Sequence, residues 1–125
     1  MPQPPIVSII DDDISVRVAV ADIVRSMDLT ANVFASGQDF LSSNSLAETA
    51  CIIADVQMPG LSGIELQQAL TARDVKIPMV FITAYPDERS RAKALDGGAI
   101  CFLKKPFGGS TIIACIERAL SMRNR

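Results

Sequence analysis

Short, nearly continuous apolar runs recur along this chain, and each stops at a polar group of a particular kind. Ile6, Val7, Ser8, Ile9 and Ile10 stop at Asp11, Asp12 and Asp13; Cys51, Ile52, Ile53 and Ala54 stop at Asp55. Met79, Val80, Phe81 and Ile82 stop at Thr83, and Ile100, Cys101, Phe102 and Leu103 stop at Lys104, Lys105 and Pro106. Runs this short and this apolar read as strands covered on both faces, the habit of parallel sheets flanked by helices. In open sheets of that kind ligands sit in the crevice beyond the carboxyl ends of the strands. If these runs are parallel neighbours, acids, a hydroxyl and a base converge at one end of the sheet.

The intervening stretches have helical periodicity. Val16, Ala19, Val20, Ile23, Val24 and Met27 form one apolar stripe and predict the first helix. Thr30 to Phe34 reads as a second strand, and Ser36 with Asp39 resembles a capping box opening a helix that carries Phe40 and Leu41. Met58, Pro59 and Gly60 force a loop, after which Ser62 and Glu65 repeat the capping pattern ahead of Leu66, Ala69 and Leu70. A charged stretch from Asp87 to Asp96 reads as the fourth helix, with Gly97 and Gly98 suited to its C-cap. The last helix, loosely opened after Gly108 and Gly109, presents Ile112, Cys115, Ile116, Ala119 and Leu120 to the core.

The pattern is (βα)5, an α/β, doubly wound, five-stranded parallel sheet. Right-handed crossovers narrow the topology, and the strand order 2-1-3-4-5 puts Asp12 beside Asp55 although they are far apart in sequence. The 125 residues, 49% of them hydrophobic, suit one domain across 1–125, with 1–5 as a flexible leader and 121–125 as the start of a linker to an absent output domain. No apolar run reaches the ~20 residues of a membrane span, and the N-terminus lacks a charged then apolar leader, so no membrane contact and a cytoplasmic location are expected. A net charge of −2 argues against direct nucleic-acid binding, the slightly basic tail of Arg118, Arg123 and Arg125 notwithstanding. The absence of His removes His-based zinc sites and the common catalytic triads, so any metal should be held by oxygen. Cys51, Cys101 and Cys115, odd in number and widely spaced, read as small buried hydrophobes without thiol chemistry.

The segments IIDDD at 9–13, ADVQMPGLSG at 54–63, FITAYPDE at 81–88 and GAICFLKKPF at 98–107 resemble, in order and spacing, those of response-regulator receiver domains of two-component signalling, FixJ-like ones above all. The resemblance implies that Asp55 accepts a phosphoryl group from a sensor histidine kinase. It implies Mg²⁺, with Mn²⁺ as an alternative, held by Asp11, Asp12, Asp55 and the backbone carbonyl of Gln57, with Asp12 the more direct ligand of the first pair. It makes Lys105 and Thr83 the groups that complete the phosphoryl site, Thr83 and Phe102 the switch, and Gln57 and Tyr85 the residues that tune dephosphorylation. Its implied output is a homodimer formed on phosphorylation, or an output domain or partner, engaged through the fourth helix, fifth strand and fifth helix, in transcriptional regulation. The domain is then no enzyme beyond its own phosphorylation and dephosphorylation.

The chemistry accounts for these residue types independently. Phosphoryl transfer spreads charge over equatorial oxygens, so the protein mainly positions groups and neutralises charge, and a carboxylate is an adequate nucleophile. Clustered Asp11, Asp12 and Asp55 repel one another and so favour a cation or a raised carboxylate pKa. Taken singly, the acids read as helix caps or loop acids, Thr83 as a strand-end hydroxyl, Lys105 as a solvated charge and Phe102 as core. Their shared placement at successive strand ends argues for a site. A stand-alone or unphosphorylated receiver-like interaction module is the first alternative. An aspartate-nucleophile phosphatase would need an acid where Gln57 stands, and a flavin binder would need a Ser/Thr/Gly-rich loop where Asp11 to Asp13 stand.

Overall fold

Alternation along each strand sends successive side chains to opposite faces, and here both faces are apolar. Of β1 (Ile6–Ile10), Ile9 joins one buried cluster and Ile10 the other. In β3 (Thr49–Asp55), Ile53 and Ile52 divide the same way, as do Ile82 and Phe81 in β4 (Met79–Thr83). The computed structural model describes residues 3–123, the side chain of Arg123 excepted. Met1 and Pro2 of the expected leader, and Asn124 and Arg125 of the expected linker and basic tail, lie outside the described residues.

With β2 (Thr30–Phe34) and β5 (Cys101–Lys104), the strands form one parallel sheet in the order β2-β1-β3-β4-β5. The first cluster is closed by α1 (Ile14–Ser26) and α5 (Gly109–Arg123) through Val20, Val24, Ile112 and Ile116. The second is closed by α2 (Gly37–Leu41), α3 (Gly63–Ala72) and α4 (Glu88–Asp96) through Phe40, Leu66, Leu70 and Ala94. Helices on both faces explain why the strands lack polar alternation, and each large side chain so buried contributes roughly 1.5–3 kcal/mol.

Local chemistry sets most boundaries. Ser62 and Glu65 make the reciprocal capping box expected of them, and Ser36 accepts from the Asp39 N–H. Asp87 caps α4 from outside, so the helix begins at Glu88 rather than Asp87. At its other end Gly98 takes φ +96°, a left-handed conformation natural to glycine after a helix. β5 runs one residue later than expected, from Cys101 to Lys104.

Two expectations need correction. Ala19 is exposed, and Ala21 is buried with Val20 and Val24. The stripe is thus rotated toward α5, because the helix meets both the sheet and a neighbouring helix rather than the sheet alone. More consequentially, Cys101 and Cys115 are joined in a disulfide with their Cα atoms 6.2 Å apart. α5 packs on β3 and β4 and passes close to the start of β5, a proximity that the spacing of the two cysteines in sequence does not reveal. Only Cys51 conforms to the expectation, a fully buried thiol whose pKa burial pushes up to about 12.

Candidate functional site

The ends of β1, β3 and β4 and the loop after β5 converge, as parallel pairing requires. Asp11, immediately past β1, is fully buried; its backbone N–H donates to Phe34 O at 3.1 Å and its Oδ1 accepts from the Asp13 N–H at 2.8 Å. Asp55 ends β3, its Oδ1 accepting from the Gln57 N–H at 3.1 Å. Lys105 reaches into the space between them. Its Nζ donates to Asp11 Oδ2 at 2.9 Å and to Asp55 Oδ2 at 3.1 Å. The lysine is placed by the neighbouring strand β4: its N–H donates to Thr83 O at 2.8 Å.

One cation against clustered acids leaves excess negative charge. Burial raises the Asp55 pKa above the ordinary carboxylate range, the charge of Asp11 raises it further, and the bonds from Lys105 and Gln57 N–H offset only part. Burial alone would lower the Lys105 pKa, but its hydrogen bonds to Asp11 and Asp55, with their charges, carry it above the usual lysine value. Asp12 is exposed, and its carboxylate oxygen lies within 4.8 Å of ligand atoms of Asp11 and Asp55. Such a set of hard oxygen donors with unneutralised charge fits Mg²⁺ or another small divalent cation. Asp13 turns away to cap α1, accepting from the Ser15 N–H at 2.8 Å.

Thr83, fully buried at the end of β4, lies on the other side of Asp55. Its hydroxyl donates to Gln57 Oε1 and accepts from the Tyr85 N–H at 3.1 Å, while Gln57 Nε2 donates to Tyr85 O at 3.2 Å. Gln57 therefore joins the loops after β3 and β4. The Tyr85 side chain is 77% exposed at the rim, and Phe102 is half-buried, its ring centroid 6.5 Å from that of Phe81.

Asp11, Asp12, Asp55, Lys105, Thr83 and Gln57 are thus brought together, with Tyr85 at the edge and Phe102 one strand away. Three features were not foreseen from sequence. Arg17 donates to the Asp11 carbonyl at 2.7 Å, the Gln57 side chain holds Thr83, and Gly63 sits where an added Cβ would lie 2.4 Å from Asp55 O. The six-residue step from Asp11 to Arg17, toward the inner face of α1, was the available signal for the first; the other two depend on how loops meet.

Doubly wound α/β domains bind their ligands at the carboxyl edge of the sheet, and in this one that edge carries three acids and a bridging lysine. Residues 7–117 match the response regulator receiver domain family. The chain belongs to that family. It is 35% identical over 116 residues to the transcriptional regulatory protein TdiR of Thauera aromatica, covering 93% of this chain and 51% of that protein. It is 36% identical over 120 residues to the transcriptional regulatory protein FixJ of Azorhizobium caulinodans, covering 96% of this chain and 57% of that one. Among solved structures, response regulator StyR superposes with a TM-score of 0.90 at 39% identity, over 97% of this chain and 61% of StyR. The chain spans about half the length of the curated relatives it matches. No described helix is long and apolar enough to cross a membrane.

Proposed function

We propose that residues 1–125 form one receiver domain of a two-component system, phosphorylated on Asp55 by a sensor histidine kinase in the cytoplasm. The observation that carries this reading is Lys105 Nζ held between Asp11 and Asp55 at the strand ends. An Asp55 carboxylate oxygen attacks the donor phosphorus, an acyl phosphate bond forms, and the phosphorus bond to the donor histidine nitrogen breaks. The electron pair leaves with the imidazole. Lys105 loses one carboxylate partner as Asp55 becomes an acyl group and turns its charge to a phosphoryl oxygen. Thr83, freed from Gln57, donates its hydroxyl to another.

The donor set fits Mg²⁺, which Asp11, Asp12, Asp55 and the Gln57 carbonyl would hold. When bound it supplies positive charge against the phosphoryl oxygens. Asp11 and Asp12 keep that charge beside Asp55 without being consumed. Gln57 and Tyr85, at the open rim, control the approach of the water that hydrolyses the acyl phosphate. The chain is in this reading a phosphoacceptor and not an enzyme acting on other substrates.

Movement of Thr83 toward the phosphoryl group vacates space that Phe102 enters, which reshapes the face made by α4, β5 and α5. Arg89, Arg91, Lys93 and Asp96 are exposed on α4 as polar contacts, Arg89 and Lys93 on its side toward α3. Homodimerisation or docking of an output domain through that face then regulates transcription, a reading supported by the likeness to the transcriptional regulatory proteins TdiR and FixJ.

Incubation with Mg²⁺ and acetyl phosphate tests the centre of this proposal. Intact-mass spectrometry is expected to show a single added phosphate, lost in Asp55→Asn. Undiminished labelling of that variant would put the acceptor elsewhere.

A further inference from the structure

The Cys101–Cys115 pair takes no part in the phosphoryl site. Cys101 opens β5 next to Phe102, and Cys115 lies in the middle of α5, so their bond ties a strand of the sheet to the helix covering it. Both residues are buried within the α1 and α5 cluster. A polar group nevertheless reaches the pair: Arg118, exposed one turn along α5, directs its NH1 to Cys101 Sγ at 3.7 Å. The third cysteine offers the contrast, with no cation or second thiol among its described contacts and a pKa of about 12.

From this geometry we infer that Cys101 and Cys115 form a reversible two-electron thiol–disulfide site, entered through Cys101 beside Arg118, that tethers α5 to β5 when oxidised. Paired cysteines in a compartment kept reduced by low-molecular-weight thiols are redox-responsive rather than structural. A neighbouring guanidinium favours the thiolate, which is the nucleophile in exchange. The oxidant is a small disulfide of the glutathione class. The Cys101 thiolate attacks one of its sulfurs, that disulfide bond breaks, and the first small thiolate leaves. The Cys115 thiolate then attacks Cys101 Sγ, forming the protein disulfide and expelling the second small thiolate. The protein loses two electrons and two protons; the oxidant becomes two thiols.

The tether acts on the face assigned to output, so its consequence there rests on the proposed function, whereas the exchange chemistry is measured without phosphorylation. The 125-residue chain is equilibrated in glutathione buffers of graded ratio, quenched and alkylated, and its peptides mapped. Linked 101 and 115 peptides, about 2 Da lighter than the sum of the free thiols, should rise from absent to dominant across the series and vanish with excess reduced glutathione, with Cys51 a thiol throughout. Arg118→Gln should slow disulfide formation roughly two- to fourfold through lost thiolate character. Amide exchange in residues 109–123 should be slower in the oxidised chain than in the reduced chain or in Cys101→Ser. A disulfide that resists reduced glutathione without denaturant overturns the inference, as do glutathione adducts on Cys101 or Cys115 without linkage. Equal exchange of α5 in both redox states overturns the tether, and an unaltered rate in Arg118→Gln overturns entry through Cys101.

Discussion

At the scale of single residues the site is set by close approaches as much as by charge. Gly63 opens α3 directly under the Asp55 carbonyl, where a Cβ would lie 2.4 Å from Asp55 O and 3.1 Å from the Phe81 ring. Neither neighbour is a flexible side-chain tip, so the backbone at Asp55 must shift. Gly63→Ala is expected to cost about 1–3 kcal/mol, read as a lowered Tm in thermal unfolding, and to slow Asp55 labelling. An unchanged Tm would mean that the β3 to α3 loop yields freely. The acids also differ in what they are free to do. Asp13 is committed to the Ser15 N–H, whereas Asp12 has its carboxylate beside those of Asp11 and Asp55. Asp12→Ala should therefore weaken Mg²⁺ binding by calorimetry about tenfold, roughly 1.4 kcal/mol, and more than Asp13→Ala does. Equal losses would show that the ligands are misassigned.

Among the five α-helices, α4 buries the fewest residues. Ala94 is its only buried residue, Leu95 is 40% exposed, and a buried hydrogen bond from Gln67 Nε2 to Ala94 O at 3.0 Å fastens it to α3. Little apolar burial means a small free energy of local opening. Its first turn hangs on Asp87, which accepts from the Ser90 N–H at 2.8 Å and from the Ser90 hydroxyl at 2.9 Å. The backbone bond first, then the hydroxyl, hold the Asp87 pKa below the ordinary carboxylate range. A lowered folded-state pKa contributes stability that is complete above the unfolded carboxylate value and lost as pH falls through the folded one. Amide exchange at Ser90 is accordingly expected to accelerate in acid beyond the intrinsic trend, and Asp87→Asn, which keeps a capping oxygen, should flatten that excess. The same acid response in the variant would assign the effect to another group.

For the molecule as a whole, the coupling proposed between the site and the α4, β5 and α5 face is a two-state problem. Phosphorylation shifts the balance only by its preference for one state, and reversing a 99:1 ratio takes about 5.5 kcal/mol. With beryllofluoride as phosphate mimic, amide exchange should change most in residues 84–105, with increased self-association or partner docking by sedimentation. Changes confined to α1 and α2, without altered association, would reject this route.

Periodicity, caps and turn residues belong to the local chain, so the sequence by itself determined the five strands and helices, the Ser62 to Glu65 capping box and, through the handedness of crossovers, the order that sets Asp11 and Asp12 beside Asp55. The polar strand ends were legible for the same reason, since a strand's direction fixes where its last residue stands. What only the tertiary structure decided involves side chains of two elements that meet after packing. Ala21 rather than Ala19 turns inward because α1 also touches α5, Gln57 closes on Thr83 because two loops converge, and Cys101 meets Cys115 because α5, packed on β3 and β4, passes beside the start of β5. Those pairings depend on how far each helix is rotated and shifted against the sheet, a matter of close packing across elements that no one-dimensional spacing encodes.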